Sequence, residues 1–327
     1  MTRTQTLTRL LPFALTTVAA LLLAGCGGGG SASTDGVAAV TAPSGGGAIS
    51  GSVVKGPVSG ATVKAFALSG GVMGTQVSSA TTDATGAFTM PMGNYAGPVM
   101  LQMSGGVYTD EATGAPMTMG AGDMMTAVLP TVAAGATVNG VAVTPLTAMA
   151  QAMAQRMAGG LTDANIAAAN TAVGNYFMVR DIVHTQPINP LVPGSAVGAT
   201  QEMMNYGMTL AAMSQYAKGA GMTNSSGFVT AMMDDASDGV IDGKASGTAV
   251  TMGGGMSGGG TPATGGGMMG TGTGATGSAM MQPDAGRAGL ATAMTEFMNS
   301  GLNKSGVSAA SMTTLMQQLR NGTGQMH

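Results

Sequence analysis

Four aspartates crowd into Asp234-Asp235-Ala236-Ser237-Asp238-Gly239-Val240-Ile241-Asp242-Gly243, a spacing that suits calcium. With Asp234 at the first position of a twelve-residue calcium loop, Asp238 and Asp242 fall at ligand positions and Gly239 at the sharp turn. The third position is Ala236, however, and the last, which must supply a bidentate acid, is Ala245. Asp and Gly at this density also make turns. Asp234, Asp238 and Asp242 are therefore calcium candidates with an incomplete ligand set.

Methionine offers a second chemistry. The chain holds 32 methionines, and thioether sulfur is a soft ligand that selects copper(I). Met90 and Met92, Met100 and Met103, and Met117 and Met119 have ligand-like spacing, and Met252, Met256, Met268, Met269, Met280 and Met281 fall in a glycine-rich tract. Elsewhere methionine recurs every three or four residues in apolar stripes, where a core needs leucine anyway. Beyond residue 25, Leu and Ile together are about half as numerous as Met, so methionine substitutes for them. The six in the tract have no expected core to fill. They are candidates for copper(I) or for an oxidant sink, since sulfoxide formation there would disturb no packing.

The remaining reactive groups do not assemble into a catalytic set. Gly255-Met256-Ser257-Gly258-Gly259 matches G-x-S-x-G, but no strand pattern precedes it and no helical pattern follows, so no nucleophile elbow is expected. The histidines are His184, beside Asp181 in a proline-rich stretch, and the final residue, His327. His184 reads as a loop hydrogen-bonder rather than a base. Asp110 and Glu111 are adjacent, which on a strand would point them to opposite faces. The expectation is a protein that is not an enzyme.

The elements that must position these groups are read from punctuation and periodicity. Residues 48–144 alternate loosely in short runs such as Ala61-Thr62-Val63-Lys64-Ala65-Phe66-Ala67-Leu68, separated by turns at Gly56-Pro57-Val58-Ser59-Gly60 and Asp83-Ala84-Thr85-Gly86. Strands about ten residues apart predict an antiparallel β-sandwich. Residues 145–245 predict helices. Thr144 and Pro145 start one with Leu146, Met149, Met153 and Met157 on a face, Thr162 caps a second with Ile166, Val173 and Phe177, and Thr200 starts a third through Met204, Met208 and Ala211. Residues 246–282 carry no period and predict a disordered Gly/Met-rich linker. Residues 283–327 predict two further helices, through Leu290, Met294 and Phe297 and through Met312, Leu315, Met316 and Leu319, packing back on the helical domain.

Ahead of all this lies an address. Arg3 and Arg9 precede an apolar run of residues 10–23, roughly 14 residues against the ~20 that span a bilayer, which predicts a secretory signal over residues 1–25. The run ends at Leu23-Ala24-Gly25-Cys26, which resembles the lipobox of Gram-negative bacterial lipoproteins. That resemblance implies that the single cysteine, Cys26, is consumed by diacylglycerol and an N-acyl chain, and that Gly27 after it directs the protein to the outer membrane. No other cofactor is expected, and the partners are the membrane, through the anchor, and a protein or glycan of the envelope. Residues 26–47 are the lipidated cysteine and a flexible Gly-rich tether whose 21 residues after Cys26 reach about 25 Å. Removing residues 1–25 takes Arg3 and Arg9, leaving nine basic against 14 acidic residues and a net charge near −5, which excludes nucleic acid as a partner.

Gly51-x-Val53, Gly60-Ala61-x-Val63 and Thr82-Asp83-x-x-Gly86-x-Phe88 resemble the carboxypeptidase regulatory-like, transthyretin-like β-sandwich domain over residues 48–108. The resemblance implies a module that spaces or binds and carries no catalytic residue. Tyr108-x-Asp110-Glu111-Ala112-Thr113-Gly114, Thr144-Pro145-Leu146-Thr147 and Thr185-Gln186-Pro187-x-Asn189-Pro190 resemble uncharacterised proteobacterial lipoproteins. Together these readings predict a multidomain, lipid-anchored envelope protein with a β-sandwich followed by a small all-α domain, the alternative being periplasmic copper(I) binding or oxidant buffering. Replacing Cys26 by Ser is expected to abolish lipid labelling and membrane retention, as read by radiolabelled acyl incorporation and sedimentation; a mutant still labelled and membrane-bound overturns the anchor.

Overall fold

The computed structural model describes residues 46–253 and 280–327. The signal segment, Cys26, most of the tether, Met256, Ser257, Met268 and Met269 lie outside the described residues. Nine strands come first: β1 (Gly47–Val53), β2 (Thr62–Ser69), β3 (Val72–Thr81), β4 (Ala87–Gly93), β5 (Gly97–Ser104), β6 (Val107–Thr109), β7 (Pro116–Thr118), β8 (Met124–Val132) and β9 (Thr137–Val143). Four helices follow, α1 (Pro145–Arg156), α2 (Asp163–Phe177), α3 (Gln201–Gly219) and α4 (Ser226–Ala236). A small hairpin, β10 (Lys244–Ala245) and β11 (Thr248–Ala249), precedes α5 (Ala288–Met298) and α6 (Thr313–Asn321).

The strands form a three-stranded sheet in the order β4-β1-β9 and a four-stranded sheet in the order β3-β2-β5-β8. Alternation sets their inner faces. In β4, Phe88, Met90 and Met92 are buried while Thr89 and Pro91 are exposed. The β3–β4 corner is held by Asp83, whose Oδ1 accepts from Thr85 N, Thr85 Oγ1 and Ala87 N, with Gly86 at φ 80°. One expectation changes: β1 pairs with β9 in parallel, so the sheets are not wholly antiparallel. The chain leaves β8 in one sheet, turns through residues 133–136 and enters β9 in the other sheet beside the start of β1, so the two strands run the same way. Gly51 is required in that pair, because a Cβ there would overlap the Val141 carbonyl.

α1, α2 and α3 start where their caps were expected, whereas α4, α5 and α6 have no side-chain capping bond. Thr144 and Thr147 form a reciprocal capping box with Pro145 at the first turn, Thr162 accepts from Asn165 N, and Thr200 accepts from Met203 N. α1 and α2 pack on β8, which explains why Met125 through Leu129 is buried on consecutive residues rather than alternating. α5 packs on α3, and α6 on α5 and α2. One hydrophobic cluster runs through strands and helices from Ile49 to Met326, so residue 144 is a change of element type within a shared core. Among the described residues, no helix is long and apolar enough to cross a membrane.

The linker expected over 246–282 is ordered at both ends. β10 and β11 pair, Val250 N donates to Gly243 O, Met281 N donates to Val250 O, and Thr251 bridges Met280. These bonds carry Met252 and Met281 into the core, where they are 3% and 4% exposed, whereas Met280 is 49% exposed. The premise that the tract's methionines have no core to fill therefore fails for Met252 and Met281. Met252→Ala is expected to cost about 2–5 kcal/mol of unfolding free energy and Met280→Ala less than about 0.5 kcal/mol, measured by urea denaturation; equal effects contradict the placement.

Candidate functional site

A cluster of buried polar side chains lies where residues 108–123 meet α3 and α4, and its origin is local. Val54 bridges Pro57 around a turn in which Gly56 takes φ 62°. A Cβ on Gly56 would strike the Thr109 carbonyl, so the turn lies directly on β6 and delivers Lys55 to the end of that strand. Lys55 is wholly buried there, as is Glu111, and their Nζ and Oε2 are 3.1 Å apart. Ser214 of α3 lies between them: it accepts from Lys55 Nζ and donates to Glu111 Oε2 at 2.5 Å. The Tyr108 ring centroid is 5.2 Å from Nζ.

Asp110 and Glu111 occupy a turn rather than a strand, so both point inward. Asp110 Oδ1 accepts from Ala112 N, Thr113 N and Thr113 Oγ1, and its Oδ2 accepts from Ser225 Oγ at 2.5 Å. Ser225 precedes α4 yet makes no capping bond, because its hydroxyl is spent on Asp110 and Tyr108. A few residues on, Asp123 accepts from Ser226 Oγ through Oδ2 and from Thr230 Oγ1 at 3.0 Å through Oδ1. Lys218 Nζ adds a bond to Ala112 O at 2.8 Å.

The electrostatics decide what this cluster can do. Burial works against the Lys55 ammonium, but Glu111, Tyr108 and Asp110 outweigh it and hold the amine above its ordinary value. Burial likewise pushes the Tyr108 hydroxyl up, so it stays a neutral donor. An ammonium has no lone pair to take the Ser214 proton, so the serine is a bridge and not an activated nucleophile. The crevice beside Glu111, between Val54, Pro57, Ile188 and Leu210, has about 10 Å³ of free space, enough for roughly one water.

The other candidates are dispersed. Asp238 Oδ1 accepts from Val240 N and its Oδ2 from Ser246 N, and Asp242 Oδ1 accepts from Lys244 N. Asp234 is exposed on α4, its carboxyl raised by desolvation against the opposing charge of Arg156. Among the described residues, no three His, Cys, Asp or Glu side chains are grouped to hold a metal ion. Of the three calcium candidates, Asp234 stands on α4, while Asp238 and Asp242 lie on the loop after it, bonded to backbone amides. His184 Nδ1 is 2.9 Å from Asp181 on the exposed surface, and His327 presents its carbonyl to Asn175 Nδ2. Comparison with known proteins adds no assignment: no family model matches the chain, and no curated protein matches it.

Sequence reasoning missed Lys55, Asp123, Ser214, Ser225 and Ser226. The available signal was small polar residues on apolar faces, such as Ser214 between Leu210 and Ala217 on α3, and a lysine inside a Gly-Pro turn. Lys55→Met or Glu111→Leu alone is expected to cost about 3–5 kcal/mol, by stranding a buried charge, and the double variant to recover most of the loss. Urea unfolding of the four proteins measures this; single variants within about 0.5 kcal/mol of wild type contradict the joint.

Proposed function

We propose that this protein is a non-catalytic, lipid-anchored module of the cell envelope, held at the outer membrane through Cys26 and binding or spacing a protein or glycan partner. The observation that carries this reading is where the polar chemistry goes. Lys55, Glu111, Ser214, Asp110 and Asp123 are consumed in joining strands to helices, and Asp238 and Asp242 in holding turns. Two facing sheets preceding the helices are what a transthyretin-like sandwich would supply, and such a module acts by presenting surface. The anchor, from its resemblance to a lipobox, and the tether after it would set that surface about 25 Å from the headgroups.

A second reading keeps copper(I) for the methionine tract, favoured by the exposure of Met280 at its edge. Thermal unfolding of the mature protein with Cu(I), Ca²⁺ and envelope glycan fragments separates the two, since a ligand at 100 times its Kd adds ~2.7 kcal/mol. A glycan or protein ligand is expected to stabilise the protein equally with and without residues 254–279. A Cu(I) shift that vanishes on that deletion overturns the first reading in favour of the second.

A further inference from the structure

The methionine sulfurs differ in what they touch. Among the described residues, two of them meet a side-chain hydroxyl: Met316 lies 3.4 Å from Thr295 Oγ1 and Met117 lies 3.8 Å from the Tyr108 hydroxyl. Met316 is buried, whereas Met117 is half-buried on β7 between exposed Pro116 and Thr118. The antiparallel β6–β7 pair puts Tyr108 directly opposite Met117, which is what sets thioether against phenol. The single Tyr108 proton is directed at Asn224 Oδ1, 2.8 Å away, and the hydroxyl is 3.0 Å from Ser225 Oγ, so the sulfur is a weak second acceptor. Asn224 Nδ2 in turn donates to Thr118 O at 2.7 Å, tying β7 to the residues just before α4. Since the Tyr108 ring also faces Lys55 Nζ, Met117 is the solvent-side end of the buried joint.

We propose that Met117 is an oxidant-responsive modification site: a peroxide converts its thioether to the sulfoxide, whose oxygen takes the Tyr108 proton from Asn224 and loosens the joint between β7 and the start of α4. With hydrogen peroxide, the sulfur lone pair attacks one peroxide oxygen, an S–O bond forms as the O–O bond breaks, and the transferred OH gives its proton to the departing hydroxide. Sulfur loses two electrons, and the peroxide is reduced to water. The product replaces a weak acceptor with a strong one and a flexible apolar side chain with a polar one. Tyr108 has one proton to give, so a bond to the sulfoxide removes its bond to Asn224. The neighbouring Asn224–Thr118 tie lies one residue from the added oxygen. Met73 and Met280 are more exposed, at 43% and 49%, and react without this consequence, since Met73 stands at the β2–β3 turn and Met280 beside Thr251, both outside the joint. Neither the anchor nor a partner enters into this chemistry.

The test treats the purified protein with hydrogen peroxide, maps oxygen gain at each methionine by peptide mass spectrometry, and measures urea unfolding before and after. Oxygen gain at Met117 is expected to raise the unfolding constant roughly tenfold, the effect of losing about one buried hydrogen bond, and to speed hydrogen exchange over residues 107–118. Met117→Leu keeps an apolar side chain of similar volume and should show neither change on treatment. A Met73→Leu, Met280→Leu double variant should show both. Methionine sulfoxide reductase should return the treated wild type to its starting values. The proposal is overturned if Met117 stays a thioether after Met73 and Met280 are fully oxidised, if Met117 is oxidised with the unfolding constant unchanged, or if treated Met117→Leu is destabilised as much as the wild type. If Met117→Leu does not fold, partly oxidised wild type decides: a destabilised fraction that matches the fraction oxidised at Met117 supports the site, and one that follows Met73 or Met280 instead overturns it.

Discussion

Glu111 receives the Lys55 ammonium and the Ser214 hydroxyl at a depth where neither charge meets water. Each partner of such a pair is costly without the other, so the three segments that bring them, the β1–β2 connection, the β6–β7 turn and α3, can form their native contacts only together. Asp110 with Ser225 and Asp123 with Ser226 and Thr230 repeat the device along the next two stretches of chain. The apolar core is continuous across strands and helices, but apolar burial is non-directional. The buried polar bonds supply the direction, fixing which turn meets which helix. Ser225 shows the hierarchy: its hydroxyl leaves the end of its own helix for the joint.

What the sequence made legible was local. Thr144, Thr162 and Thr200 announced helix starts because a cap is a contact within a few residues. Asp83 and Gly86 announced their corner for the same reason. The stripes of α1 and α3 were legible in part: Leu146, Met149, Met208 and Ala211 are buried, but Met153, Met157 and Met204 are half-buried, and residues 145–151 and 205–214 are buried all round, which period does not announce. The parallel β1–β9 pairing was hidden because its partners lie about ninety residues apart and nothing in either strand specifies direction. Lys55 and Glu111 were hidden likewise, each an ordinary surface residue type until the fold joins them.

Met252 and Met281 illustrate a subtler failure. Averaged composition over 246–282 is glycine-rich, and that average concealed two short apolar ends, around Val250 and Met281, that return to the body. Composition describes a window, whereas burial is decided residue by residue. In the acidic stretch, Asp238 and Asp242, two of the three calcium candidates, accept backbone amides in a turn, and the third, Asp234, stands on α4. Asp and Gly at this density hold turns through their own backbone.

Buried polar bonds lock strands and helices into one cooperative body. Urea unfolding of the protein, followed at once by far-UV circular dichroism for the helices and by hydrogen exchange at the β2 and β5 amides, tests it most directly. The account predicts one coincident transition for both probes. A helical transition completed while β2 and β5 remain protected would contradict it.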